Sequence, residues 1–578
     1  MDVIKRGISY LKPYWLFAVG AFISVLIVTA TNLYVPQLIQ QLIDDGIEVQ
    51  SWNGIVWAAG GLLVMALLRG VFSFTNTYWS AESSQGIAFD LRNEIFTKLQ
   101  NLSFSYHDTH QTGQLMTRTT SDVESVRVFF AQGLLQLISA VITFVGSIVI
   151  LFWTDWRLTL AVLTTIPVII VIFVFLFSRM GPLFGKVQKM LGLLNNILQE
   201  NIAGMRVVKS FTAEPYELER YRSQNDSLYQ QNLEVARYFS IGFPTVFLLS
   251  NLGTLIVMWY GGNLVISNEL DLGQLIAFNS YLAYLLTPIF QLGGLSQQMA
   301  SATASGKRLF EILDTENEII SPPNAIALTN EMPGRVEFEN VSFAYQGAEE
   351  NVLTDISFDA SPGHTVALLG STGSGKSSIV NLIPRFYDVT GGRILIDGSD
   401  VRDYDLNMLR QQVGSCLQEV TLRSGTIRDN IAFGKPDATL EEVVEAAKIA
   451  QAHDFILQQP DGYDTQVGER GSGLSGGQRQ RVAIARVLLV HPRIIVFDDS
   501  MSALDAETEQ KLKTALRPFL ENHTAIIIAQ RIATVRTADQ ILVIDQGKIV
   551  ARGTHTELLE SSPIYHEIVS SQLEEEPA

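Results

Sequence analysis

The sequence predicts six membrane-spanning α-helices followed by an α/β domain built around a phosphate-binding loop. Three observations predict it: six apolar windows of bilayer length, a sharp change of composition near residue 320, and a Gly-rich loop set between a strand-like and a helix-like run. The chain has 578 residues, 47% hydrophobic and 17% charged, with a mean hydropathy of +0.20. An ordinary soluble protein carries about 25% charged residues. Length alone allows roughly three to four domains. Composition excludes disorder, collagen and a disulfide scaffold, since Cys416 is the single cysteine. The net charge of −18 argues against a nucleic-acid binder. Residues 1–320 hold 19 basic and 23 acidic side chains, and residues 321–578 hold 22 and 36. The first part is therefore nearly neutral and the second strongly acidic.

A spanning helix needs about 20 mostly apolar residues. The windows lie near 14–36, 55–78, 129–153, 158–178, 240–267 and 273–297, and only the second carries a charge, Arg69. The first is too long for a signal peptide, and five more spans follow it. Basic residues set the orientation. Lys5, Arg6 and Lys12 precede the first span, 79–128 carries four basic residues and 179–239 carries eight. The stretches 37–54 and 268–272 carry none. The N-terminus, both long loops and the C-terminal domain are thus expected in the cytoplasm of a multi-pass cell-membrane protein. The long loops are amphipathic and rich in helix formers, so the spans should continue as helices into the cytoplasm. They should turn near Tyr106–Gly113 and Ala213–Pro215, where they could touch a cytoplasmic domain. Prolines, Asn and Gly in EIISPPNAIALTNEMPG end the helical run. The expected division is a transmembrane domain over 1–318, a linker over 319–334 and a nucleotide-binding domain over 335–578.

The C-terminal domain carries the chemistry. In TVALLGSTGSGKSS, Gly370, Gly375, Lys376 and Ser377 have phosphate-loop spacing. The loop spans Gly370, Ser371, Thr372, Gly373, Ser374 and Gly375, and runs on through Lys376, Ser377 and Ser378. Its amides converge on phosphate oxygens, Lys376 adds positive charge and the Ser377 hydroxyl can ligate Mg²⁺. In RIIVFDDS, four apolar residues lead to Asp498, which fits a Mg²⁺-associated carboxylate. Asp499 follows where a base or water-orienting residue could sit. Between them, Leu474, Ser475, Gly476, Gly477 and Gln478 open an apolar-spaced helix, an anion-binding arrangement.

This combination resembles the ATP-binding-cassette (ABC) transporter family, whose signature stretch is LSGGQ, here 474–478. The resemblance covers the whole chain: six spans and one nucleotide-binding domain look like a half-transporter of the type IV exporter class. It implies that Tyr345 in FENVSFAY stacks on adenine. It implies that Gln418 in CLQEV is the Q-loop glutamine, touching Mg²⁺ or water. Glu469 matches the X-loop, and Ser502–Asp505 the D-loop. ATP and Mg²⁺ are the implied cofactors. Each ATP lies between the phosphate loop of one chain and the signature of another, so at least a dimer is implied. Cys416 is given no chemistry; its strand-like setting makes it a small buried hydrophobe.

The chain departs from the family at two catalytic positions. Asp499 stands where the family has Glu, one methylene longer. Gln530 in AIIIAQR stands where it has His; Gln can donate a hydrogen bond but carries no charge. With Gln418, these are the residues expected to act on the attacking water and γ-phosphate. A misplacement of about 1 Å can cost about 10²-fold in rate. Nucleotide binding should be kept and hydrolysis should be slow. The resemblance is thus to the degenerate-site subunit of a heterodimeric exporter, with a second half-transporter supplying Glu and His. The expected function is ATP-driven export of amphipathic drugs, lipids or peptides by alternating access. The alternatives are a homodimeric lipid or peptide exporter and an ATP-gated channel. Arg423, beside the Q-loop, is a further departure. Arg69, Asn251, Asn279, Tyr281, Tyr284 and Gln291 are polar or aromatic positions in the spans that could face a cavity or serve helix packing.

Overall fold

The computed structural model describes residues 2–327, 332–529 and 532–574. Six long helices occupy the N-terminal part: α1 (Lys12–Glu48), α2 (Trp52–Asn101), α3 (Thr112–Thr154), α4 (Trp156–Ala203), α5 (Glu214–Ile266) and α6 (Leu272–Asp314). Each contains one predicted span and is long enough to cross a membrane. Helices of 43–53 residues, as α2 to α6 are, far exceed a bilayer, which takes about 20 residues. The extra turns come from the amphipathic loop sequences. The connections between α2 and α3 and between α4 and α5 each hold one short helix, Phe104–Thr109 and Met205–Ser210.

The chain forms two compact units. One holds Met1–Gln100 and Gly113–Thr315, the other Asn101–Thr112 and Glu316–Ala578. In the helical unit, Leu151, Leu158, Val162, Val257, Phe278 and Leu285 form a shared core. Outward faces are apolar instead of polar: Trp57, Leu67, Phe74, Trp153 and Trp259 are all exposed. Such surface suits hydrocarbon and not water. Specific polar ties cross between the helices. The Tyr281 hydroxyl donates to the Leu33 carbonyl at 2.6 Å, and the Gly273 amide donates to Asp44 Oδ1 at 2.7 Å. Asp122, almost fully buried, accepts from Ser305 Oγ and Arg308 Nε, each at 2.8 Å, and so ties α3 to α6. At Gly20 the α1 backbone lies against the Trp79 ring; a Cβ there would collide with it.

The second unit is built on a six-stranded sheet and a four-stranded sheet. The strands are β1 (Val336–Phe343), β2 (Leu353–Ala360), β3 (Thr365–Leu369), β4 (Gly391–Ile396), β5 (Ser399–Asp400), β6 (Val413–Cys416), β7 (Gly425–Thr426), β8 (Gln466–Val467), β9 (Ile494–Asp498), β10 (Thr524–Ile528), β11 (Gln540–Asp545) and β12 (Lys548–Gly553). The larger sheet runs β12-β11-β3-β10-β9-β6, parallel except for β12. β9 is buried along its whole length, as expected of a strand covered on both faces. The smaller sheet runs β2-β1-β4-β5 and is antiparallel. Three helices bear on the site: α7 (Lys376–Leu382), α8 (Gly476–Val490) and α9 (Ala506–Leu520).

Candidate nucleotide-binding site

Parallel pairing aligns the carboxyl ends of three strands. Ile528 of β10 lies opposite both Leu368 of β3 and Asp498 of β9. The phosphate loop after β3 and the acidic pair after β9 therefore emerge at one sheet edge, where open α/β sheets bind ligands. The loop fits only because its glycines lack side chains. Gly375 has φ +103, and a Cβ there would lie 2.6 Å from Leu353 Cδ2; at Gly370 a Cβ would collide with the Ile544 carbonyl. Lys376 is 8% exposed and donates to the Gly370 carbonyl at 3.0 Å, the Ser371 carbonyl at 2.7 Å and Ser374 Oγ at 3.3 Å. Burial pulls its pKa down, opposed by the charges of Asp498 and Asp499. The ammonium thus lies inside the loop, where it would meet a bound phosphate.

Asp498 is 7% exposed. Burial raises its pKa, and a hydrogen bond from Ser377 and the charge of Lys376 oppose the rise. Ser377 and Asp498 are thereby brought together. Their oxygens fit a hard cation. No cluster of three or more His, Cys, Asp or Glu exists among the described residues, so nucleotide oxygens would have to complete the ligand set. Asp499 adopts φ +45 and its amide donates to the Ile528 carbonyl at 3.0 Å. Asp tolerates this left-handed backbone better than most residues. Gln530 lies outside the described residues.

Tyr345 sits at the rim. Its hydroxyl is 3.0 Å from Ser378 Oγ, and its ring meets Phe343 and Tyr387 edge-on, at 4.8 and 5.2 Å between centroids. Tyr387 in turn donates to Asp108 Oδ2 at 2.7 Å, and Phe104 packs on Phe386 at 4.5 Å. The short helix Phe104–Thr109 thus shares a cluster with the tyrosine predicted to hold adenine. The sequence had marked this turn as able to touch a cytoplasmic domain, but not Tyr387 as the residue it touches. Gln418 lies exposed in the loop after β6, and Glu469 is exposed likewise.

The signature segment opens α8 with a reciprocal cap. Ser475 Oγ accepts from the Gln478 amide at 3.3 Å, and Gln478 Oε1 accepts from the Ser475 amide at 2.8 Å. Gly476 and Gly477 occupy the first turn, with their backs to Ala503. Gln480, buried, accepts from the Ala503 amide at 3.1 Å and so fastens α8 to the segment 502–505. Sequence spacing gave no sign of this residue. Asp505 caps α9 by accepting from the Thr508 amide at 2.9 Å. Arg423 stacks over Phe433 at 4.8 Å within the same domain. Cys416 is buried, and burial pushes its thiol up to about 12, so it is inert at neutral pH.

In the helical unit an apolar hollow of about 540 Å³ is lined by Phe144, Phe173, Val174, Pro288, Ile289 and Ser296, from α3, α4 and α6. None of the polar span residues singled out from the sequence lines it. Asn251 bonds its own helix at Phe247, Tyr281 is a buried packing residue, and Arg69 and Gln291 are exposed. Tyr284 packs edge-on against Tyr281, and the buried Asn279 Oδ1 has no hydrogen-bond partner among the described residues.

Comparison with known proteins supplies the relatives of this arrangement. Residues 18–289 match the family model described as the ABC transporter transmembrane region, and residues 353–502 match that described as ABC transporter. The chain is 40% identical over 572 residues to the uncharacterised ABC transporter ATP-binding protein YknU of Bacillus subtilis (strain 168), covering 99% of this chain and 98% of that one. It is 36% identical over 581 residues to YgaD of the same organism, provisionally named a multidrug export ATP-binding/permease protein, covering 99% of this chain and all of that one. A solved bacterial Atm1-family ABC exporter with ATP bound superposes with a TM-score of 0.80 at 30% identity, over 96% of this chain and 98% of that chain.

Proposed function

The chain belongs to the ABC transporter family, and from that premise we propose that it is one half of a dimeric ATP-driven exporter of amphipathic substrates whose own ATP site is the weaker of the two. It is a multi-pass membrane protein with an ATP-binding domain of the transport-ATPase type. The basic residues of the long loops support a cytoplasmic location for that domain and the N-terminus. The relative named for multidrug export and the apolar hollow between α3, α4 and α6 support an amphipathic substrate.

The observation that carries the reading is a contrast within one domain. The residues expected to bind nucleotide are present, with Tyr345 beside Ser378, Lys376 inside the loop and Ser377 hydrogen-bonded to Asp498. The two residues that should act on the attacking water and the γ-phosphate, Asp499 and Gln530, are both replaced relative to the family. Lys376 and the loop amides hold phosphate oxygens, and Tyr345 offers a ring face to adenine. Mg²⁺, when bound, neutralises charge on the β- and γ-oxygens; Ser377 and Asp498 would hold it, with Gln418 brought in on closure. Asp499 still presents a carboxylate, drawn back by one methylene. The Ser475–Gln478 box is intact, and its helix N-terminus would complete the site of the second chain. Cassette closure transmitted along the long helices would turn the cavity outward. Its driving force is the preference of ATP for the closed state.

The test is the double substitution Asp499→Glu with Gln530→His, in the full chain assembled in lipid. Hydrolysis at this chain's own site should rise about ten-fold or more, or ATP occlusion should shorten. Unchanged hydrolysis there with unchanged occlusion would sink the weak-site reading. Equal activity without any second gene product would favour a homodimer.

A further inference from the structure

The segment after Asp499 is tied at three points to neighbouring parts of the domain. Ser502 Oγ donates to the Asp499 carbonyl at 2.8 Å. The Ala503 amide donates to Gln480 on the signature helix at 3.1 Å. The third tie lies one turn into α9. Glu509, 9% exposed, accepts from Thr534 Oγ1 at 3.0 Å and pairs with Lys513 Nζ at 2.6 Å. Thr534 sits on the short helix Ile532–Val535, four residues after Gln530. Asp499, Ser502, Glu509 and Thr534 surround one small cavity.

A buried carboxylate costs free energy unless it is paired and hydrogen-bonded. Lys513 alone, at i+4 on the same helix, would satisfy the charge. The Thr534 bond goes further, because it crosses from α9, which follows Ser502–Asp505, to the short helix Ile532–Val535, which follows Gln530 in the sequence. We propose that Glu509 and Thr534 are positioning residues that couple the two ATP sites. Any shift of the short helix Ile532–Val535 is passed through their hydrogen bond to α9, the D-loop and, through Gln480, the signature that completes the opposite site. This rests on the dimeric ATPase reading above, and adds a route between sites that the site residues themselves do not supply.

The hydroxyl is the testable atom. Thr534→Val keeps the shape and removes the donor; Thr534→Ser restores it. Both go into the full assembled transporter in lipid, read by ATP affinity, turnover and the Hill coefficient for ATP, which two coupled sites can raise toward two. The valine variant should keep ATP affinity, lose turnover by roughly five-fold and bring the Hill coefficient to about one. The serine variant should behave as wild type. Wild-type cooperativity in the valine variant overturns the proposal, as does equal loss in both variants, or non-cooperative hydrolysis in the unmodified protein. If the unmodified protein neither occludes nor hydrolyses ATP, the export reading itself fails and takes this one with it.

Discussion

Asp498 shows how a single side chain trades stability for function. It is buried at the sheet edge, and burial is the largest influence on its pKa, which rises. A raised folded-state pKa means that the protonated form suits the fold. The stability it contributes is complete in acid and is lost as pH rises through that pKa. At neutral pH the carboxylate is therefore a cost to the fold, which a bound cation would offset. Asp498→Asn should raise the nucleotide-free melting temperature, by roughly 2–4 °C per kcal/mol relieved, while weakening Mg²⁺-dependent ATP binding at this chain's own site. The gap should close as pH falls toward the carboxylate range. A melting temperature that drops in the Asn variant at neutral pH would contradict this account. Asp499 differs in kind. Its φ of +45 makes the backbone selective at this position, and Glu tolerates the left-handed region less well than Asp. The Asp499→Glu substitution should thus cost up to about 1–2 kcal/mol of cassette stability even as it lengthens the reach of the carboxylate. Thermal melts alongside turnover separate the two effects.

At the scale of elements, the short helix Phe104–Thr109 forms one cluster with Tyr345, after β1, and Tyr387, in the turn after α7. Tyr387→Phe removes the 2.7 Å bond to Asp108 and keeps the ring that braces Tyr345. ATP affinity should hold while stimulation of ATPase by transported compounds falls, by an amount set by one hydrogen bond of about 1 kcal/mol. Phe104→Ala should cost about 2 kcal/mol, since Phe104 is part exposed, and should weaken stimulation further. If neither variant changes stimulation, the cluster is packing alone. These contacts also mark the limit of what sequence reveals. The spans, the long helical extensions and the phosphate loop follow from local rules: hydrophobic length, helix propensity, glycine at positive φ. The reciprocal cap of Ser475 and Gln478 is legible too, because its partners are three residues apart. Tyr387 with Asp108, Gln480 with Ala503 and Glu509 with Thr534 are not. Each joins residues 23 to 279 apart in sequence, and no periodicity encodes which distant partner a side chain meets. The hollow in the helical unit is hidden for another reason: its lining, Phe144 and Phe173 among aliphatic side chains, is composed like any lipid-facing stretch of a span.

For the whole molecule, low charge and strong acidity have separate origins. The 17% charge reflects six spans, and most of the net charge of −18 belongs to the second unit's sequence. Two domains account for a length that could have held three or four. The assembly, in turn, should betray itself through asymmetry within this one chain. Lys376→Ala strips the chain's own phosphate loop. Gly476→Asp damages only what the chain lends to the other site. A Cβ at Gly476 would meet Ala503 Cβ at 3.5 Å, an ordinary contact, so the backbone should accept it. An acid in the first turn of a helix suits the helix dipole, yet it repels the phosphates the signature must approach. If this chain owns the weak site, Lys376→Ala should leave a substantial fraction of turnover, because the competent phosphate loop lies elsewhere. Gly476→Asp should reduce turnover by about 10²-fold or more, because it disables the competent site. In a symmetric dimer of this chain each substitution would strike both sites, and the two losses would match. Turnover of the two single variants, measured in the same lipid preparation as the unmodified transporter, therefore distinguishes the unequal pair from the equal one without knowledge of the transported compound.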